Sequence, residues 1–326
     1  MPRRRLMNNQ KKFVVSHAPF LHNGSGIPER NIHMIYAALP ALVFGGIFRF
    51  GVAAIAVASF SVATAMIWEL LMNHAMKRPI TIGDGNAALI GLLFAMLLPA
   101  TAPWWLVLTG TFVAIVIGKQ IFGGIGSNAF NPVALSIAIL AISWGDYLDF
   151  NEMYMNFDLG FAATYPLATL KHFGVNAVDH LSLADLLIGR QIGGIGSTFG
   201  IGLIAGGIYL MARGFVRWEI PLSYLAGIFV TAVIFNVIDP TRFAGPFFHM
   251  CTGYTLIAAF FLAPEDASSP VNFIPMLIYG AAGGVMTMLI RNIGAYADGS
   301  MLAILVINLI NPLVDKIRPK ALGKVG

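Results

Sequence analysis

The chain has 326 residues, of which 57% are hydrophobic and only 11% charged. Soluble domains carry about 25% charged residues, so this composition excludes an ordinary soluble enzyme and predicts an all-α polytopic membrane protein. The net charge of +5 gives no reason to expect nucleic acid as a partner, and the single cysteine, Cys251, excludes a disulfide framework or an iron–sulfur cluster held by this chain alone.

Residues 1–32 read as a cytoplasmic tail, opened by Arg3-Arg4-Arg5 and Lys11-Lys12 and then interrupted by Ser16, His17, Pro19 and His22. Ten apolar segments follow, at about 33–48, 52–75, 86–101, 104–119, 129–144, 194–212, 218–237, 249–264, 272–290 and 300–314. Arg49-Phe50-Gly51 splits the first two, and Pro99 and Pro103 mark the turn between the third and fourth. Several segments are shorter than the roughly 20 residues of a straight span, as happens where helices break inside a membrane protein.

Of the 20 Lys and Arg residues, only Arg49, Lys171, Arg190, Arg242 and Arg291 fall on the side opposite the amino terminus. That bias places both termini in the cytoplasm. The expected organisation is a first transmembrane half over 33–144, an external interval over 145–193, a second half over 194–314, and a basic tail over 315–326. The external interval carries Asp146, Asp149, Glu152, Asp158, Asp179 and Asp185 against Lys171 and Arg190. The two halves share weak similarities: Asn86–Phe94 with Gly253–Phe261, and Asn131-Pro132 with Asn311-Pro312. Five helices per half would make them an inverted repeat.

Gly118–Pro132 is the densest motif. Gly123, Gly124 and Gly126 cannot sit stably inside a helix, at about 1 kcal/mol each against alanine; they suit positive φ or close approach of a ring or phosphate. Asn128 and Asn131 add amide donors and acceptors. A re-entrant turn explains the same residues without any ligand. Gly193–Thr198 echoes the pattern and reads as a tight turn capping a helix with Ser or Thr. Glu69 and Glu219, near segment ends, read as hydrated. Glu265 and Asp266 follow Pro264 with no Lys or Arg in their loop, which suggests ion handling. Asp298 reads as a turn residue. The histidines form no metal-ligand pattern, and no nucleotide-binding or nucleophile-elbow motif is present.

Several long runs carry a resemblance. These are Phe13–Pro19, Phe122–Pro132, Trp218–Ser223, Ile290–Gly299 and Asn308–Asp315. Through them nearly the whole chain resembles the RnfD family, membrane subunits of Rnf ion-translocating electron-transport complexes. It is more distantly similar to NqrB, the corresponding membrane subunit of the sodium-pumping NADH:quinone oxidoreductase. The resemblance implies FMN joined by a phosphoester to Thr164, with Asp158 and Ala163 matching the attachment motif. Phe161 and Ala162 depart from that motif, and Tyr165 intervenes before Pro166-Leu167-Ala168. It also implies a second, noncovalent flavin such as riboflavin, for which Gly123, Gly124, Asn128 and Asn131 are the candidate residues. The implied partners are a flavin transferase, an external FMN-bearing subunit, other membrane and peripheral subunits, and the lipid of a bacterial inner membrane. The rival classes are a secondary transporter or channel with no redox role, and an inert scaffold.

Overall fold

The computed structural model describes residues 26–148, 150, 156–157, 159 and 164–317. Their regular structure is all helical, with no strand among the described residues. Four helices are long and apolar enough to cross a membrane: α1 (Ile27–Phe50), α2 (Val52–Ala75), α9 (Glu219–Ile238) and α12 (Phe273–Asn292). Five shorter apolar helices stand among them: α3 (Asn86–Leu97), α4 (Trp104–Gln120), α5 (Pro132–Ser143), α8 (Gly200–Ala212) and α13 (Ser300–Val314). The interval 145–193 contains α6 (Pro166–Phe173) and α7 (Leu183–Ile188) among its described residues. The segment expected at 249–264 is broken into α10 (Pro246–Cys251) and α11, which starts at Thr255–Ile257 and continues as Ala258–Leu262.

The breaks have local causes. Gly51 sits at φ 56°, ψ −129°, which ends α1 and opens α2 one residue later. Pro132 and Pro246 occupy first-turn positions, where a missing N–H is not needed. Between α10 and α11, Gly253 takes φ +65°. A Cβ there would collide with Asp298 Oδ2 and lie 2.5 Å from Leu167 Cδ1. Three stretches widen into π-helix: Val43–Ile47 within α1, Val113–Gln120 within α4 and Ala258–Leu262 within α11. Such widenings cluster at functional sites.

Close helix approach depends on small residues. Helices α9 and α12 run side by side in the same direction, with Gly227, Gly280 and Gly284 at the crossing. A Cβ on Gly280 would sit 2.6 Å from Ile220 O, and one on Gly284 would sit 2.7 Å from Ile228 N. Tyr224 Oη and Thr287 Oγ1 share a hydrogen bond of 2.6 Å in the same seam. Helices α2 and α3 meet at Gly91, whose carbonyl accepts from Ser61 Oγ at 2.7 Å.

Gly193–Thr198 differs from its expected role as a capped turn. The segment is buried between α1 and the end of α3. Ile195 N donates to Leu98 O and Gly196 N to Met96 O, both at 2.9 Å. A Cβ on Gly194 would lie 2.6 Å from Met96 O. The glycines therefore serve a threaded crossing, and Phe199, not Ser197 or Thr198, precedes α8 without a side-chain cap.

Candidate functional site

On the face holding the α2–α3 turn and the amino-terminal end of α1, polar side chains from both halves converge. Asn131 opens α5: its Oδ1 accepts from Val133 N and Ala134 N, each at 3.0 Å. The same side chain donates through Nδ2 to Leu262 O at 2.9 Å, at the end of α11. Its backbone N–H donates to Asn308 Oδ1 at 2.9 Å, and Asn308 Nδ2 reaches Tyr279 Oη at 2.6 Å. Asn128 Nδ2 lies 3.1 Å from each carboxylate oxygen of Glu265. Glu265 also accepts from the Ser268 hydroxyl, and from Ser268 N at 3.1 Å. Arg30 Nε stands 2.9 Å from Asp266 Oδ2. That contact lacks hydrogen-bond geometry, so it acts as charge against charge.

Burial raises the pKa of Glu265, with the Ser268 and Asn128 hydrogen bonds acting in the opposite sense. Burial likewise raises Asp266, against the pull of Arg30. A cleft of about 500 Å³ opens here, walled by Leu89, Ile90, Leu93 and Phe261 and bordered by Asn128, Asn131 and Glu265. Three residues singled out in sequence for two different roles thus share one cavity. Gly123 (φ 127°) and Gly124 (φ 98°) adopt the positive φ expected of them. They line a neighbouring cleft with Asn73, Arg78 and Asp84, and Ile125 belongs to both clefts.

Two expectations about charge, for Glu69 and Glu219, are corrected. Glu69 is not hydrated: it is 0% exposed, with Lys119 Nζ 2.9 Å from both carboxylate oxygens. The Thr81 hydroxyl donates to it, and Asn73 Nδ2 holds Thr81 at 2.9 Å. A lysine two helices away compensates the charge, so the glutamate can lie inside. Glu219 is also buried, with Arg217 Nη2 at 2.6 Å. Asp266 lacks a cation in its own loop but takes one from α1, through Arg30. Local sequence cannot show a partner 236 residues away.

At the opposite end, Thr164 is partly buried, and its carbonyl accepts from Ile192 N at 3.0 Å. Tyr165 follows, its ring tilted at 57° to Phe150 with 5.0 Å between centroids, and α6 begins at Pro166. Asp158 and Ala163 lie outside the described residues, as do Phe161 and Ala162. Asp298 exceeds the turn role read from sequence. Its Oδ1 lies 3.1 Å from Arg291 Nη2 and caps α13 through Ser300 N at 2.8 Å, while its Oδ2 accepts from Tyr254 N at 2.6 Å. Burial would raise this carboxyl, but Arg291 and the hydrogen bonds from Ser300 and Tyr254 outweigh it and hold the pKa below the usual value. Among the described residues, no group of His, Cys, Asp and Glu is placed to hold a metal.

Long apolar helices, broken helices and buried charge clusters at both ends define a helical membrane protein. The chain belongs to the NQR2, RnfD, RnfE family, whose profile matches residues 14–323. It is 34% identical to the D subunit of the Na(+)-translocating ferredoxin:NAD(+) oxidoreductase complex of Acetobacterium woodii, over 94% of each chain. It is 31% identical to the D subunit of the proton-translocating ferredoxin:NAD(+) oxidoreductase complex of Clostridium ljungdahlii, over 93% of this chain and 94% of that one. The D subunit of the ion-translocating oxidoreductase complex of Cronobacter sakazakii is 29% identical, over 95% of this chain and 99% of its own.

Proposed function

We propose that this chain is the RnfD-type membrane flavoprotein subunit of an ion-translocating ferredoxin:NAD oxidoreductase complex, coupling electron transfer to movement of Na+ or H+. The observation that carries this reading is the likeness to the D subunit of such a complex over 94% of the chain. The relatives' names differ on the ion, one Na(+) and one proton, so the ion is left to transport measurements.

In this reading the ten apolar segments cross a bacterial inner membrane as two inverted five-helix halves, with both termini cytoplasmic and 145–193 outside. Two helix starts support the inversion. Asn131 caps α5 and binds Leu262 O at one end of α11; Asp298 caps α13 and binds Tyr254 N at the other end.

Thr164 is the proposed phosphoester anchor for FMN, within a motif that includes Asp158 and Ala163. Its backbone is pinned by Ile192 and continues into α6, so the hydroxyl is presented from a fixed main chain. The inner cleft is the proposed seat of a noncovalent flavin such as riboflavin, with Gly123 and Gly124 beside it. Asn131 fits there as a structural wall, because both ends of its amide already bind protein. Asn128 and Glu265 contribute the polar edge, and the aliphatic wall excludes water. Flavin supplies the electron-carrying chemistry; the chain supplies position, electrostatics and dryness. Glu265 and Asp266 are the proposed ion-path residues. Other membrane and peripheral subunits, an external FMN-bearing subunit and a flavin transferase are the implied partners.

The test is the intact mass of the chain co-expressed with its flavin transferase, beside Thr164→Ala. An FMN increment that disappears in the variant is the expected result. A wild-type chain with neither a mass increment nor releasable flavin would reject the flavoprotein reading in favour of a transporter without redox chemistry.

A further inference from the structure

On the face that holds Thr164, a second cavity of about 620 Å³ lies between α6, α10, the turn after α9 and the end of α12. None of the roles above uses it. Its polar wall is made of Lys171, Arg242, His249, Arg291 and Asn292, with no carboxylate among the described lining residues. His249 is 1% exposed, and neither ring nitrogen has a hydrogen-bond partner. Arg291 Nε and the Asn292 side-chain nitrogen are also without partners. Buried polar groups are nearly always satisfied, so a ligand that accepts hydrogen bonds belongs here.

The charge points the same way. Lys171, Arg242 and Arg291 face the cavity. Among the described residues, two neighbouring carboxylates are already engaged: Asp298 with Arg291 at 3.1 Å, and Asp239 with the backbone N–H groups of Thr241 and Arg242. One positive charge remains in surplus. The cations are also held in place. Lys171 Nζ donates to the carbonyls of Arg291, Gly294 and Tyr296. The turn bearing Arg242 is tied to α9 by Asn236 Nδ2 on Phe243 O at 2.8 Å. Ile293 of the lining is 71% exposed, and the elements that form the cavity carry two further exposed apolar side chains, Phe173 of α6 at 76% and Val237 of α9 at 75%. A fixed cationic cavity whose elements carry exposed apolar side chains at the end of membrane helices suits an anionic headgroup with its chains outside.

We propose that this cavity is a phosphodiester site, filled by the headgroup phosphate of an anionic phospholipid. A zwitterionic headgroup fits worse, because the wall offers its cation no carboxylate. The same chemistry has one other source: the threonyl–flavin linkage proposed at Thr164, three residues before Leu167 of the cavity wall.

The test is native mass spectrometry of the detergent-purified full chain titrated with phosphatidylglycerol, in wild type, Thr164→Ala, Arg242→Gln, His249→Leu and, as a control on the opposite face, Lys77→Gln. No side-chain hydrogen bond of Arg242 or His249 is present among the described residues, so unchanged unfolding temperatures check that these variants fold. One retained lipid is expected, with affinity falling at least ~10-fold in Arg242→Gln and His249→Leu, the scale of a lost charge-assisted hydrogen bond. Lys77→Gln should match wild type. Equal retention by wild type and Thr164→Ala assigns the site to lipid. Lipid gained only when Thr164 is removed assigns it to the flavin linkage. If Arg242→Gln and His249→Leu hold the lipid as tightly as their parent, whether that parent is wild type or Thr164→Ala, the site is refuted. The flavin mass increment appears in the same spectra, so failure of attachment at Thr164 is seen separately and leaves this site standing.

Discussion

Removing Lys119 should be among the costliest single changes in this chain. Its ammonium lies 2.9 Å from both oxygens of Glu69, and the two side chains are 2% and 0% exposed. Lys119→Met leaves a buried carboxylate whose remaining partner is the Thr81 hydroxyl. Breaking such a pair from one side costs about 3–5 kcal/mol, whereas replacing both partners with neutral groups of similar volume is often close to neutral. The double variant Glu69→Gln/Lys119→Met should therefore recover most of the loss. At roughly 2 °C per kcal/mol for a chain of this size, the single variant should unfold ~6–10 °C lower and the double variant within a few degrees of wild type. Thermal unfolding of detergent-purified protein, followed by tryptophan fluorescence, reads both. A Lys119→Met protein as stable as wild type would refute the buried-pair reasoning. So would a double variant no better than the single one.

Other outcomes follow from the same geometry. Burial raises Glu265 and Asp266 above ordinary carboxylate values, so the folded state holds more protons than the unfolded state in the window between them. Stability should fall as pH rises through that window and level off above it; Glu265→Gln should flatten the slope in a pH series of unfolding temperatures. Gly284→Ala would place a methyl 2.7 Å from Ile228 N, forcing α9 and α12 apart at about 1–3 kcal/mol, measurable as a lower unfolding temperature. Asn131→Ala removes the α5 cap and the tie to Leu262 O, at ~1 kcal/mol for the cap alone. Its stability loss should exceed that of Asn128→Ala.

Helix positions were largely legible in the sequence because apolar runs and glycine or proline breaks are local signals. The second segment, 52–75, coincides with α2, and the last, 300–314, with α13. The break at Gly253 was not legible, because its reason is Asp298, 45 residues on, which binds the next N–H. Of the two Asn-Pro pairs, Asn131-Pro132 opens α5 and Asn311-Pro312 lies at the end of α13, so they mark opposite ends of their helices. In the inner cleft, Asn128, Asn131 and Glu265 stood out as polar residues beside apolar runs. Arg30 and Asn308 did not, since only folding brings them to Asp266 and Asn131. His249 looked like a segment-end residue; its unpartnered ring becomes informative only with the cavity around it.

The widened stretch Val113–Gln120 carries, one residue before its end, the lysine that neutralises Glu69. Tightening that stretch to ordinary α winding would turn everything beyond it by about 100° and advance it by about 1.5 Å per residue gained. Lys119 would then swing off the glutamate, and the buried carboxylate would lose its counter-charge. Helix winding and charge compensation in the first half are therefore one mechanical variable, with Lys119 as its pawl.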